Sequence, residues 1–152
     1  LITAVMLTSN LYAEKTEINK NKRVMECTDK PEKVNEKLPG LLVVGDSISV
    51  GYFPTLKKRV KNYDIVHNPC GAEHTKTGLA NIDEWLAPRQ QWDLVVFNFG
   101  LWDLATVYDI SVPQYKKNLK LIAKKIKEKS KKALFLTTTY VPDEVENRPA
   151  DS

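Results

Sequence analysis

A chain of 152 residues with 42% hydrophobic and 28% charged residues is long enough to bury one core and too apolar to be a disordered polypeptide. Its formal net charge is +4, with a pI near 9.0, but nine lysines and one glutamate between residues 116 and 132 give that segment +8 and leave −4 for the remainder. The basicity therefore belongs to one segment, which argues against a generally cationic surface of the kind that coats nucleic acid.

Residues 1–13, LITAVMLTSNLYA, are apolar and uncharged, end in a small residue, and are followed at once by lysines and glutamates. This is the pattern of the apolar and cleavage regions of a secretory signal without its basic start; the stretch is too short to span a bilayer. A buried N-terminal helix or strand is the alternative. Read as a signal, it implies a secreted or periplasmic protein with no stable membrane insertion. Residues 14–40 are polar and form a tail or linker ending on the turn signal Pro39-Gly40. Cys27 and Cys70 are the only cysteines. In an exported protein they can close one disulfide, worth about 2–4 kcal/mol, or stay as two buried thiols.

The run LLVVGD (41–46) predicts a strand buried on both faces, and SVGYFPTLKKRVKN (49–62) a helix whose start is blurred by Pro54. A short strand over 63–68, a loop over 69–77 and an amphipathic helix over 77–87, stopped by Pro88, follow. WDLVVFNFG (92–100) predicts a buried strand, and 101–110 a loop. Ser111 and Gln114 form a capping box around Pro113 for a helix over about 113–130. Its apolar stripe is Tyr115, Leu119, Ile122 and Ile126, with lysines at the other positions. We read those lysines as a solvated face, since no aromatic residues interleave with them to stack bases, and expect no nucleic-acid partner. KALFLTTTYV (132–141) predicts a last buried strand, and Trp85 and Trp92 are expected in or near the core.

Strands alternating with helices predict an α/β fold with a parallel sheet and helices on both faces, in which ligands bind at the carboxyl ends of the strands. Three motifs fall at those ends: Gly45-Asp46-Ser47, Cys70-Gly71 and Gly100-Leu101-Trp102-Asp103. A serine between strand end and helix start points into the cleft, and its N–H faces any negative charge that develops there. Gly51 is expected to keep the first helical turn uncrowded. The structural alternative is that Asp46 or Ser47 only caps the helix. Nucleotide binding is disfavoured: Gly51 is followed by Tyr52 and Phe53 instead of the lysine and Ser/Thr of a P-loop, and no Gly-x-Gly-x-x-Gly occurs.

LLVVGDSISVGYFPTL resembles the first block of the SGNH (GDSL-type) serine ester hydrolases. Gly71 is similar to their second-block glycine, VVFNFGLWDL resembles the third block, and VPQYKKNLKLIAKKIK with ALFLTTTYVP continues the likeness through residue 142. The resemblance implies a flavodoxin-like three-layer α/β/α sandwich and hydrolysis of an acyl ester without a cofactor. The substrate would be an acetylated carbohydrate, a lipid ester or a small ester. It implies Ser47 as nucleophile and the N–H groups of Ser47 and Gly71 as oxyanion donors. The family's third-block asparagine is replaced by Trp102, whose indole N–H can donate but is longer and aimed differently; Asn98 is the other candidate donor, or else a polar residue ending a strand. Asp103 orders the loop rather than doing chemistry, and Trp102 and Tyr108 line an acyl or sugar pocket.

The family's base, an Asp-x-x-His near the C-terminus, has no counterpart: the chain ends VPDEVENRPADS and its only histidines are His67 and His74. Losing a triad histidine costs on the order of 10⁶ in kcat. His74, on the rim of the cleft beside Glu73, is a poor substitute, because triad roles depend on geometry. His67, Cys70 and His74 make a weak metal set, and no metal is expected. The missing initial methionine and the missing Asp-x-x-His suggest a fragment, with residues 41–152 an incomplete domain whose parent adds a fifth strand, that motif and a closing helix. The alternatives are a non-catalytic SGNH-like domain that binds carbohydrate or acyl groups, and a flavodoxin-like ligand-binding domain with a chance Gly-Asp-Ser.

Overall fold

The computed structural model describes residues 32–138. The signal-like segment, most of the linker, Cys27 and the end of the last predicted strand lie outside the described residues. Four strands, β1 (Gly40–Val44), β2 (Asp64–His67), β3 (Leu94–Phe97) and β4 (Ala133–Phe135), pair in parallel in the order β2-β1-β3-β4. Helices α1 (Ser47–Arg59), α2 (Thr75–Leu86) and α3 (Val112–Lys129) make the crossovers, giving an α/β chain consistent with a flavodoxin-like α/β/α fold.

Alternation along the strands sorts the side chains into two layers. Leu42, Val44, Val66, Val95 and Phe97 face α2 and α3, where they meet Ile82, Trp85, Leu86, Ile122 and Ile126. Leu41, Val43 and Ile65 face α1 through Phe53, Leu56 and Val60. Each fully buried Leu, Ile or Val contributes about 1.5–3 kcal/mol, so both layers hold the sheet. Trp85 and Trp92 are buried as expected, and the Trp92 indole donates to the Leu86 carbonyl at 3.0 Å. Gly78 lets α2 approach the chain after β3: a Cβ there would lie 2.4 Å from the Phe99 ring.

Several boundaries differ from expectation, each for a local reason. The first helix begins at Ser47, not 49, because the Asp46 carboxylate accepts from the Ile48 N–H at 2.9 Å and acts as N-cap. Pro54 then sits inside the helix; the carbonyl it leaves unpaired belongs to Val50, which is exposed. A Cβ at Gly51 would meet nothing within 4 Å, so steric relief does not explain that glycine. Ser111 caps α3 by accepting from the Gln114 N–H, but the Gln114 amide donates to Asn118 at 2.6 Å, so the reciprocal half of the capping box is not made. The third strand is shorter than 92–100 because Trp92 makes only an isolated bridge to Ser130. The fourth, expected to be buried on both faces, is the outer strand of the described sheet: Ala133 is exposed and Leu134 is 49% exposed. Within the expected 101–110 loop, residues 106–108 form a short 3₁₀ turn.

Candidate active site

The strand order places β1 and β3 side by side with their crossover helices on opposite faces of the sheet. Between them lies the switch point where such folds bind ligands. The β1–α1 bend opens there. Its backbone is tied down on both sides: Gly45 donates to Asn68 Oδ1 at 2.9 Å and accepts from the Ala72 N–H at 2.8 Å. Asp46 is buried, whereas Ser47, the first residue of α1, is exposed. As the first helical residue, Ser47 has no intrahelical acceptor for its N–H. Among the described residues, neither that N–H nor the N–H of Gly71 has a hydrogen-bond acceptor.

Gly71 lies against the bend. A Cβ on it would sit 3.8 Å from the Asp46 Cα and 4.0 Å from the Ser47 nitrogen. Two amides without acceptors, next to an exposed hydroxyl at a helix N-terminus, make a place for an anionic oxygen. A cleft of about 100 Å³ opens beside them, lined by Asp46, Ile48, Ser49, Tyr52, Asn98 and residues 136–138. Ser47 is not part of that lining.

The other expected site residues divide. Asn98 reaches the cleft, but its amide donates to the Leu136 carbonyl at 2.6 Å and so ties β3 to the chain after β4. Asp103 is buried and accepts from both the N–H (3.0 Å) and the hydroxyl of Thr75, at the start of α2. Asn118 donates to the same Thr75 hydroxyl at 3.2 Å, and Gln114 donates to Asn118. This closed network anchors the loop. Burial raises the Asp103 carboxyl above the usual carboxylate range, against the lowering effect of Thr75.

His74 is not on a cleft rim. It is buried as the N-cap of α2, its Nδ1 accepting from the Thr77 N–H at 3.2 Å. That bond assigns the ring proton to Nε2. Its ring lies 4.5 Å from that of Tyr108, which in turn lies 5.7 Å from Trp102. Burial, and then Lys76, hold its pKa below the ordinary histidine range. Trp102 is half-buried, and no hydrogen bond among the described residues links it or Asp103 to Ser47. Cys70 is disulfide-bonded; Cys27 lies outside the described residues. No three His, Cys, Asp or Glu side chains among the described residues converge as a metal site.

Sequence reasoning weighed His67 only as a weak metal ligand and missed its pairing with Ser49. Ser49 is buried, and its Oγ lies 2.7 Å from both His67 Nε2 and the Asp46 carbonyl; His67 Nδ1 lies 2.7 Å from the Asn68 carbonyl. Strand alternation puts His67 on the same face as Ile65, toward α1, but nothing in the sequence pairs it with Ser49.

No known protein family matches the chain, and no curated protein matches it. No helix among the described residues is long and apolar enough to cross a membrane.

Proposed function

We propose that the protein is a serine ester hydrolase of the SGNH (GDSL) type, exported, acting on an acyl ester through an acyl-enzyme on Ser47. The observation that carries this reading is the bend: an exposed serine at the first residue of α1, beside the amides of Ser47 and Gly71, which have no acceptor among the described residues, at the switch point. Ser47 Oγ attacks the ester carbonyl carbon and gives its proton to a base. The two amides hold the oxyanion, collapse releases the alcohol, and water then frees the acid. No cofactor is needed. The substrate is a small-molecule or carbohydrate ester, an acetylated sugar or lipid ester included.

The described residues leave the base open. His67 is bonded to Ser49 and Asn68, His74 caps α2, and neither is hydrogen-bonded to Ser47. That favours a second reading, a domain that keeps the cleft and binds acyl or carbohydrate groups without turnover. Trp102 in place of the amide side chain points the same way. A fluorophosphonate probe on the full-length protein separates the two. Labelling lost in Ser47→Ala supports the hydrolase; no labelling, with retained binding of an acetylated sugar, supports the binding domain.

A further inference from the structure

Three short contacts run in one line across the bend. His67 Nδ1 meets the Asn68 carbonyl, His67 Nε2 meets Ser49 Oγ, and Ser49 Oγ meets the Asp46 carbonyl, each at 2.7 Å. The two ends are carbonyl oxygens and can only accept. Three hydrogen bonds in this line need three protons. The Ser49 hydroxyl supplies one and a neutral imidazole one, so a neutral ring leaves one contact without a hydrogen in either tautomer. An imidazolium satisfies all three: Nδ1–H to Asn68, Nε2–H to Ser49, and Oγ–H to Asp46.

The far end of the line bears on the proposed oxyanion donor. The Asp46 carbonyl belongs to the same planar peptide as the Ser47 N–H, and in a trans peptide the two point in opposite directions. Whatever fixes that carbonyl fixes where the Ser47 N–H points. Two donors hold it: the Val50 N–H at 3.1 Å, the ordinary helical bond, and Ser49 Oγ.

We propose that His67, acting through Ser49, is a positioning residue that aims the Ser47 N–H, and that its protonation state sets how firmly that amide is held. This rests on the reading of Ser47 and Gly71 as an oxyanion site. The charged groups acting on the His67 ring are Asp46 from the start of α1 and Glu32 from the segment before β1. Glu32 is also ion-paired to Lys57, whose ammonium sits over the Phe53 ring packed edge-on against His67. Burial keeps the ring below the ordinary histidine range, against the raising effects of Asn68, Glu32 and Asp46. The neutral ring is therefore the form at neutral pH, and the three-bond line closes on acidification.

The test is an NMR titration of the protein with no ligand, read at the His67 ring nitrogens and at the Ser47 and Ile48 amides. The expected result is that both amides shift with the midpoint of His67. In His67→Gln, whose side-chain amide donates to Ser49 at any pH, that shift is lost and the Ser47 amide stays at its acid position. In Ser49→Ala, His67 still titrates and the Ser47 amide no longer follows it. A Ser47 shift that persists unchanged in His67→Gln, or an amide that never follows His67, overturns the proposal. Fluorophosphonate labelling is a separate readout. Ser49→Ala is expected to slow it about tenfold at neutral pH, well short of the 10²–10³ seen on removing an oxyanion donor. Coupled NMR shifts in a protein that never labels keep the hydrogen-bond line and remove the hydrolase reading.

Discussion

Two loops at the same end of the sheet are built on opposite terms. The loop after β3 is closed: Asp103 takes both donors of Thr75, Asn118 reaches the same hydroxyl, and Gln114 reaches Asn118. The bend after β1 is also tied down, through Asn68, Ala72 and the Asp46 cap, yet among the described residues the Ser47 and Gly71 amides have no acceptor. Buried polar groups are normally paired. A saturated network of buried groups anchors its loop, whereas the open amides of the bend lie on exposed Ser47 and half-buried Gly71, within reach of a ligand. The Gly-Asp-Ser bend is therefore the candidate site, and the Trp-Asp loop is its support.

Breaking the closed loop carries the largest expected effect. Asp103→Ala leaves a buried N–H and hydroxyl of Thr75 without their acceptor and should destabilise the fold by about 3 kcal/mol; urea unfolding measures it. A loss under about 0.5 kcal/mol would erase the contrast between the loops.

Acid stability gives the next effect. His67 and His74 are both held below the ordinary value of 6.5, chiefly by burial. The unfolded chain therefore binds protons first, and stability present at neutral pH is lost as pH falls through 6.5 toward the folded-state values. Asp103 works the other way: its raised pKa is a penalty at neutral pH that is relieved as pH falls through the folded value toward 3.8. Urea midpoints should drop between pH 7 and 5.5, and His67→Gln should remove part of that drop; a midpoint that rises over this range contradicts the sign.

The open bend should show the smallest change in stability. Ser47 is exposed, and a Cβ at Gly71 meets only ordinary contacts at 3.8–4.0 Å. Ser47→Ala and Gly71→Ala should each stay within about 0.5 kcal/mol of the wild type in urea unfolding, with Ser47→Ala alone abolishing labelling. A large loss of stability in Ser47→Ala would make the serine a structural residue.

The strands and helices were legible in the sequence because apolar runs and the Tyr115–Ile126 stripe are set by which faces are buried. What was not legible depended on side-chain hydrogen bonds. Asp46 moved the start of α1 by two residues, and Gln114 turned to Asn118 instead of back to Ser111. In the site, Ser47 and Gly71 could be read from their place at strand ends, and the structure brings them together. The occupied amide of Asn98, the buried cap at His74 and the Ser49–His67 pair could not, since each depends on a partner distant in sequence or on which face the residue takes.

The central claim is that the Ser47 and Gly71 amides receive a negative oxygen. The crystal structure of the fluorophosphonate adduct tests it most directly. The account predicts phosphorus bonded to Ser47 Oγ and the phosphonyl oxygen about 2.7–3.1 Å from both nitrogens. An adduct whose oxygen points instead into solvent or toward Asn98, or attachment at any other residue, would contradict it.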